Sequence, residues 1–281
     1  MSTLEGIIPN LPDAEYRAAP GYGSTAIKWF LEEVPAQAKH WIDHPEDLPS
    51  FDAAQVGQLV HALVLDQPHP FVVKDWDGRT KDGKARAGEV AAEGLIGMSA
   101  DDFTLANGCA EGVLRHPTAR AILERPGSGE CSVFAEIDGV SVKARFDWLP
   151  EQSDRRMVAL DLKTAWSAHP RKFTKNVANF DYAVQHGHYL DVLTAATGPM
   201  PHGMEPEMLF VAVDKRPPHL VSMIGLPEIW AQIGRDKAAR ARRIIAACQQ
   251  SGVWPDYGSE IYYIEPPTYY LYAAEEGATD E

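Results

Sequence analysis

Ala159-Leu160-Asp161-Leu162-Lys163-Thr164 is the stretch that decides the fold, with Asp147 standing fourteen residues before Asp161. Alternate residues of an extended strand share a face, so Asp161 and Lys163 point the same way. Ala159, Leu160 and Leu162 suit a buried sheet, and the two leucines imply that the opposite face is covered. Two carboxylates and one ammonium converging at strand ends can hold a hard divalent cation and activate a water. Taken singly, each residue has a plainer reading. Asp147 closes Lys143-Ala144-Arg145-Phe146-Asp147 and could be an exposed acid paired with Arg145. Asp161 and Lys163 could be another surface pair, of small energetic consequence. The joint spacing favours the metal site.

Working outward, Ser132 to Ile137 and Val140 to Trp148 flank Asp138-Gly139, the strongest short hairpin signal. Val158 to Thr164 is a third strand, Phe180 to Thr197 a helix, and Met208 to Asp214 and Leu220 to Ile224 two further strands. Pro227 opens a helix running to about Gln250 and closed by Gly252. Upstream, Ser24 is expected to cap a helix from Thr25 to Glu33. A second helix spans about Ala53 to Leu65. The Asp, Gly, Lys and Arg of residues 75–88 read as a mobile loop, and helix returns from Asp101 to Glu124 with a break at Pro117. Residues 1–23 read as an irregular arm. Tyr262, Tyr263 and Thr268 to Tyr272 suggest an edge strand, and 273–281 a disordered acidic tail. The order of elements gives an α/β class with a mixed central sheet.

A net charge of −14 argues against a protein that coats DNA over a broad face, which would be basic. It argues less against a nuclease, whose acidic metal site and tail raise the negative count, and whose grip can rest on a local basic patch. The three cysteines, Cys109, Cys131 and Cys248, lie far apart without a CxxC, which disfavours structural zinc or a four-cysteine cluster. No apolar run is long enough for a membrane span, and Met1 to Pro12 does not read as a secretory signal, so a cytoplasmic protein is expected.

Further candidates come from spacing. Gln185 and Tyr189 share a helix face at i, i+4, where an amide can orient water and a phenol can touch a phosphate. The plainer reading is a solvated Gln and a half-buried Tyr. His186 and His188 do not converge on a helix and make a poor metal pair. Gly57 and His61 share a face, the glycine letting another backbone approach while His61 points into the same space. Glu130, just before the first hairpin strand, could be a third acid. Ser24 and Lys28 sit at a helix start, where backbone N–H groups favour a phosphate. Arg171, Lys172 and Lys175 follow the acid–x–Lys strand. The basic run Arg235 to Arg243 lies on a helix whose Trp230, Ile233, Ile244, Ile245 and Cys248 would pack inward, leaving a solvated face or a phosphate track.

Together, Gly57-x3-His61, Glu130-Cys131-Ser132, Arg145-Phe146-Asp147, Asp161-Leu162-Lys163-Thr164 and Gln185-x3-Tyr189 resemble the PD-(D/E)xK nuclease superfamily. The nearest likeness is to its RecE-type (exodeoxyribonuclease VIII) branch and phage-encoded relatives, with lambda exonuclease further off. The resemblance covers about residues 21 to 265. It implies a restriction-endonuclease-like core: one domain over 24–272, helical over 24–126 and catalytic over 127–272. It implies Mg²⁺ or Mn²⁺ held by Asp147, Asp161 and the Leu162 backbone carbonyl, with Glu130 and His61 completing a second position. Lys163 would orient or deprotonate water, Gln185 would position the lysine or the water, and Tyr189 would contact a phosphate. Ser24, Lys28, Arg145, Thr164, Arg171, Lys172 and Lys175 are the implied DNA contacts. The implied activity is an exonuclease acting on linear double-stranded DNA, 5′ to 3′, leaving 3′ overhangs for strand annealing. Implied partners are duplex ends, a single-strand annealing protein of the RecT/Beta type, and further copies of the chain in a ring, in a bacterial cell or phage-infected host. Two other readings stay open: a nuclease-fold DNA-binding or recombination accessory protein that does not cut, and a DNA endonuclease. A Cas4-like or RecB-like iron–sulfur nuclease is disfavoured by the scattered cysteines, and no HExxH supports another metallohydrolase.

Overall fold

The computed structural model describes residues 4–48, 53–151, 157–198 and 205–277. Strand β1 (Gly6–Ile8) is followed by helices α1 (Asp13–Ala18), α2 (Ser24–Glu32), α3 (Pro35–Asp43) and α4 (Ala53–Val64). Strand β2 (Phe71–Val73), helix α5 (Lys81–Ala92) and strand β3 (Ile96–Met98) form a small parallel pair with its crossover. Helices α6 (Ala100–Arg115) and α7 (Pro117–Leu123) lead into the hairpin of β4 (Gly127–Ile137) and β5 (Val140–Pro150). Then come β6 (Val158–Ala165), α8 (Pro170–Asn179), α9 (Tyr182–Thr197), β7 (Glu207–Asp214), β8 (Val221–Gly225), α10 (Glu228–Ser251) and α11 (Thr268–Gly277).

The main sheet has six strands in the order β1-β4-β5-β6-β7-β8, with β6 and β7 parallel and the other neighbours antiparallel. Asp138 and Gly139 join β4 to β5 with φ of 54° and 76°, the turn whose twist suits paired strands. Residues of β6 and β7 alternate between two apolar layers. Ala159, Phe210 and Ala212 pack with α2, α9 and α10 on one face, while Leu160, Leu162, Val211 and Val213 pack with α4 and α6 on the other. Such strands, covered on both sides, need near-continuous apolar sequence, and they have it. The α/β class with a mixed, helix-flanked sheet is therefore as expected from the sequence. Helices α9 and α10 cross closely at two glycines. A Cβ on Gly234 would lie 1.8 Å from the Ala183 carbonyl oxygen, and one on Gly187 would lie 2.5 Å from the Arg235 nitrogen. Among the described residues no helix is long and apolar enough to cross a membrane.

Several local expectations are corrected. Residues 1–23 are not an irregular arm throughout: β1 pairs with β4, and the Lys143 ammonium donates to the carbonyls of Tyr16, Arg17 and Ala19 at 2.9, 3.3 and 2.6 Å, closing the end of α1. Distant partners supply this order, so no local pattern announces it. The loop expected over 75–88 gives way to α5 from Lys81. Thr80 caps it by accepting from the Gly83 N–H at 3.0 Å, and Gly83 is there for space, since its Cβ would clash with the Asp77 carbonyl. Helix α8 was not foreseen; Pro170 occupies its first turn and the His169 ring accepts from the Arg171 N–H at 3.2 Å. The segment Thr268 to Tyr272 is helix rather than edge strand, because Pro266 and Pro267 cannot join a ladder and the Pro267 carbonyl accepts the first helical N–H groups. Helix α11 also extends through 273–277 of the expected disordered tail; 278–281 lie outside the described residues. Ile233 is 40% exposed and does not pack inward with its neighbours on α10.

Candidate metal and catalytic site

Strands β5 and β6 are paired at Trp148 and Leu160 and then part. In the fork, the Asp147 carboxylate takes the place of a strand partner: its Oδ2 accepts the Leu162 N–H at 2.5 Å. An acid thus terminates the ladder and is held there by backbone. Asp161 and Lys163 project from β6 toward α9, as alternation requires. Asp161, 2% exposed, is ion-paired with the Lys163 ammonium through Oδ1 and accepts from the Gln185 amide through Oδ2 at 2.7 Å. Lys163 lies over the rings of Tyr182 and Phe210, at 5.0 and 5.8 Å from their centroids.

From the opposite side of the sheet, α4 supplies His61. Its Nε2 meets the Leu162 carbonyl at 3.0 Å and its Nδ1 lies 3.5 Å from Asp147 Oδ1. Glu130 stands opposite Asp147, since the register runs from Gly129↔Trp148 to Cys131↔Phe146 on either side of it. One donor atom each from His61, Glu130 and Asp147 lies within 4.8 Å of the others. These three residues form a group that can hold a metal ion. Burial, then the neighbouring Asp161, raises the Asp147 pKa well above the ordinary carboxylate value, with Glu130 adding to it and Lys163 opposing. Burial also lowers the His61 pKa, with Lys163 second, so the imidazole is neutral and able to bind a cation. At Lys163 burial pushes downward, but Asp161 and Asp147 outweigh it and the pKa is raised, leaving an ammonium.

The grouping differs from the expected one. Asp161 lies outside the three-residue group, and Lys163 and Gln185 face its two oxygens. Asp147 instead groups with His61 and Glu130. The Leu162 carbonyl faces His61. Gln185 is buried against Asp161, not solvated. Tyr189 is 8% exposed, stacks edge-on with Phe146 at 5.0 Å and is hydrogen-bonded to Ser24. Its hydroxyl therefore has a partner within the protein. Ser24 is not the cap; Gly23 is, and Ser24 is the first residue of α2 with its side chain turned to Tyr189. Gly57 lets no backbone in; its absent Cβ would meet only the Thr164 hydroxyl at 3.5 Å, which puts Thr164 against α4.

The expected DNA contacts divide. Arg171, Lys172 and Lys175 are exposed on α8 and make no ion pair among the described residues. Lys28 donates to the Phe180 carbonyl at 2.7 Å, and burial, then Lys163, lowers its pKa to about 8. Arg145 is turned away from open solvent: its Nε pairs with Glu130 at 2.7 Å, Nη1 with Asp13 at 3.3 Å, and Nη2 donates to the Leu11 carbonyl at 3.2 Å. On α10, Arg235 faces Asp191, Glu205 and Glu228, Lys237 pairs with Asp181, and Arg242 is buried beside Asp191, so much of that basic run is neutralised. A cleft of about 500 Å³ opens beside the three-residue group, lined by His61, Glu130 and Arg145, by Gln58 and Gln67, and by the N-terminal turn Asn10 to Asp13. Sequence reasoning missed the place of that turn beside the site, which its own residues do not encode. It also missed Tyr182, whose i, i+3, i+7 relation to Gln185 and Tyr189 was available.

Three comparisons bear on this arrangement. No curated protein matches the sequence. Among solved structures, a protein of Eubacterium rectale provisionally named an exonuclease is similar in fold, with a TM-score of 0.64 at 15% identity over 94% of this chain and 98% of its own. A second, SSO0001, is 14% identical over 74% of this chain and 100% of its own, but at a TM-score of 0.27 it carries no argument. The model of a PDDEXK-like domain of unknown function (DUF3799) matches residues 23–267. That span takes in the strand fork, both acids, the lysine and the helix bearing Gln185, and the chain belongs to this PDDEXK-like family.

Proposed function

We propose that the protein is a divalent-metal-dependent exodeoxyribonuclease acting on linear duplex DNA. The observation that carries this reading is the fork itself, where Lys163 and Gln185 hold Asp161 beside Asp147. The donor set suits Mg²⁺ or Mn²⁺: two carboxylates and a neutral imidazole, with Asp161 and the Leu162 carbonyl as further donors in the fork. The raised pKa of Asp147, due first to burial and then to the neighbouring Asp161, supports the same reading, because a cation would offset that buried charge. When bound, such an ion supplies Lewis acidity and an acidified water. Lys163 keeps its proton and sets positive charge where a phosphate gains negative charge during attack. Gln185 fixes the Asp161 carboxylate and, through it, the lysine. Arg171, Lys172 and Lys175 offer an exposed track for backbone phosphates.

On the RecE-type resemblance, the direction is 5′ to 3′ and the 3′ strand left behind goes to an annealing protein of the RecT/Beta type in a bacterial or phage-infected cytoplasm. A homo-oligomer, a ring by the same resemblance, is supported by an exposed apolar run toward the C-terminus. There Ile261, Tyr263 and Ile264 are 81, 92 and 91% exposed. End-labelled linear duplex and covalently closed circles, each with Mg²⁺ or EDTA, test the reading. Mononucleotides from the linear DNA, with circles intact and EDTA silencing the reaction, are the expected result. Rapid nicking of circles points to an endonuclease, and binding without cleavage to an accessory protein.

A further inference from the structure

Glu130 belongs to the three-residue group, yet it sits at φ 48°, a left-handed conformation that side chains rarely adopt. Something must hold its carboxylate in place. The partner is Arg145, two residues before Asp147 on β5, whose Nε lies 2.7 Å from Glu130 Oε2. The guanidinium is in turn fixed from the far side. Asp13 pairs with Nη1 at 3.3 Å, the Leu11 carbonyl accepts from Nη2 at 3.2 Å, and the Tyr16 ring lies 5.3 Å away. These anchors all come from the N-terminal segment, itself tied down by β1 on β4 and by Lys143 at the end of α1.

We propose that Arg145 is a positioning residue for the metal site, and that the N-terminal segment Gly6–Ala18 is part of the framework of that site. This rests on the nuclease reading above. A planar guanidinium spreads its charge and donors over a fixed fork, so Arg145 can face Glu130 as an ion pair at Nε while Nη1 and Nη2 donate to the N-terminal turn. A lysine at the same position could reach one of these but not both. Partners behind a metal ligand commonly change metal affinity by about 10- to 100-fold when removed.

The test is Mn²⁺ titration of the full chain, followed by electron paramagnetic resonance of the free ion, with binding of duplex DNA measured separately in EDTA. Arg145→Met should weaken Mn²⁺ by at least about 10-fold while leaving DNA affinity in EDTA near the parent value. Arg145→Lys should recover part of the loss. Asp13→Asn removes the outer anchor at an exposed side chain, keeps the test alive if Arg145→Met does not fold, and should weaken Mn²⁺ by a smaller factor. Parent-like Mn²⁺ affinity in the folded variants, with DNA affinity reduced, overturns the proposal and makes Arg145 a DNA contact. Asp147→Asn separates the two readings: if it too binds Mn²⁺ like the parent, the metal site itself has been misplaced.

Discussion

Asp161 is gripped from two directions, by the lysine two residues along its own strand and by an amide from α9. Asp147 is gripped by a backbone N–H. Lys163 opposes the repulsion between the two acids, Lys28 lies within electrostatic range of Asp161, and burial sharpens what repulsion remains. A carboxylate whose pKa is raised on folding favours the fold below its unfolded value and costs stability once pH rises through the folded one. Replacing Asp147 by Asn keeps an acceptor for the Leu162 N–H and removes that charge. The metal-free variant should therefore be more stable than the parent at neutral pH, by about 1 kcal/mol, or a few degrees in thermal midpoint. Added Mn²⁺ should raise the parent's midpoint and leave the variant's unchanged. A lower metal-free midpoint in the variant would mean that the crowding is not real. At this scale the sequence was most legible. Asp161 and Lys163 follow from strand alternation, and Gln185 from helix periodicity. Which oxygen each partner takes, and hence which residues remain for a metal, depends on the parting of β5 and β6. No spacing in the sequence encodes that parting.

Helix α9 lies between the sheet and α10 and is buried nearly all round from Ala183 to Leu190. Two histidines ride in it. His188 donates from Nε2 to the Lys143 carbonyl, 3.1 Å away, and His186 donates to the Met208 carbonyl. Burial, the largest cause in each case, lowers both pKa values to about 4. The unfolded chain protonates them near the ordinary value of about 6.5, so between that pH and about 4 it binds more protons than the fold does. Stability should be present above pH 6.5 and fall toward pH 4 by up to about 3 kcal/mol per imidazole. Denaturation midpoints across that window check it: His188→Asn should flatten the slope, and an unchanged slope would contradict the assignment. Elements read from their own residues, such as the Asp138-Gly139 hairpin and the helix between Pro227 and Gly252, were legible. Those dictated by contact were not. The composition of 75–88 reads as a loop, yet Gly83 serves close packing against the Asp77 carbonyl in α5. Strand β1 and helix α1 owe their order to Lys143 and β4.

Over the whole molecule, a chain of net charge −14 buries two acids in one strand fork and leaves exposed cations on α8 that make no ion pair among the described residues. Most of the cations on α10 are tied to acids, so the basic run seen in the sequence does not extend that surface. A negative protein can still hold a polyanion through such a local patch, and its grip should weaken steeply with salt. The two apolar layers either side of β6 and β7 explain how the acids come to be desolvated at all. The account turns on Lys163 supplying charge to a reaction whose binding surface lies elsewhere. The most direct measurement is cleavage of end-labelled linear duplex in Mg²⁺ by the parent and by Lys163→Ala, alongside duplex affinity in EDTA. The account predicts a loss of at least about 100-fold in cleavage rate with duplex affinity within a few-fold of the parent. Parent-like cleavage by Lys163→Ala would contradict it.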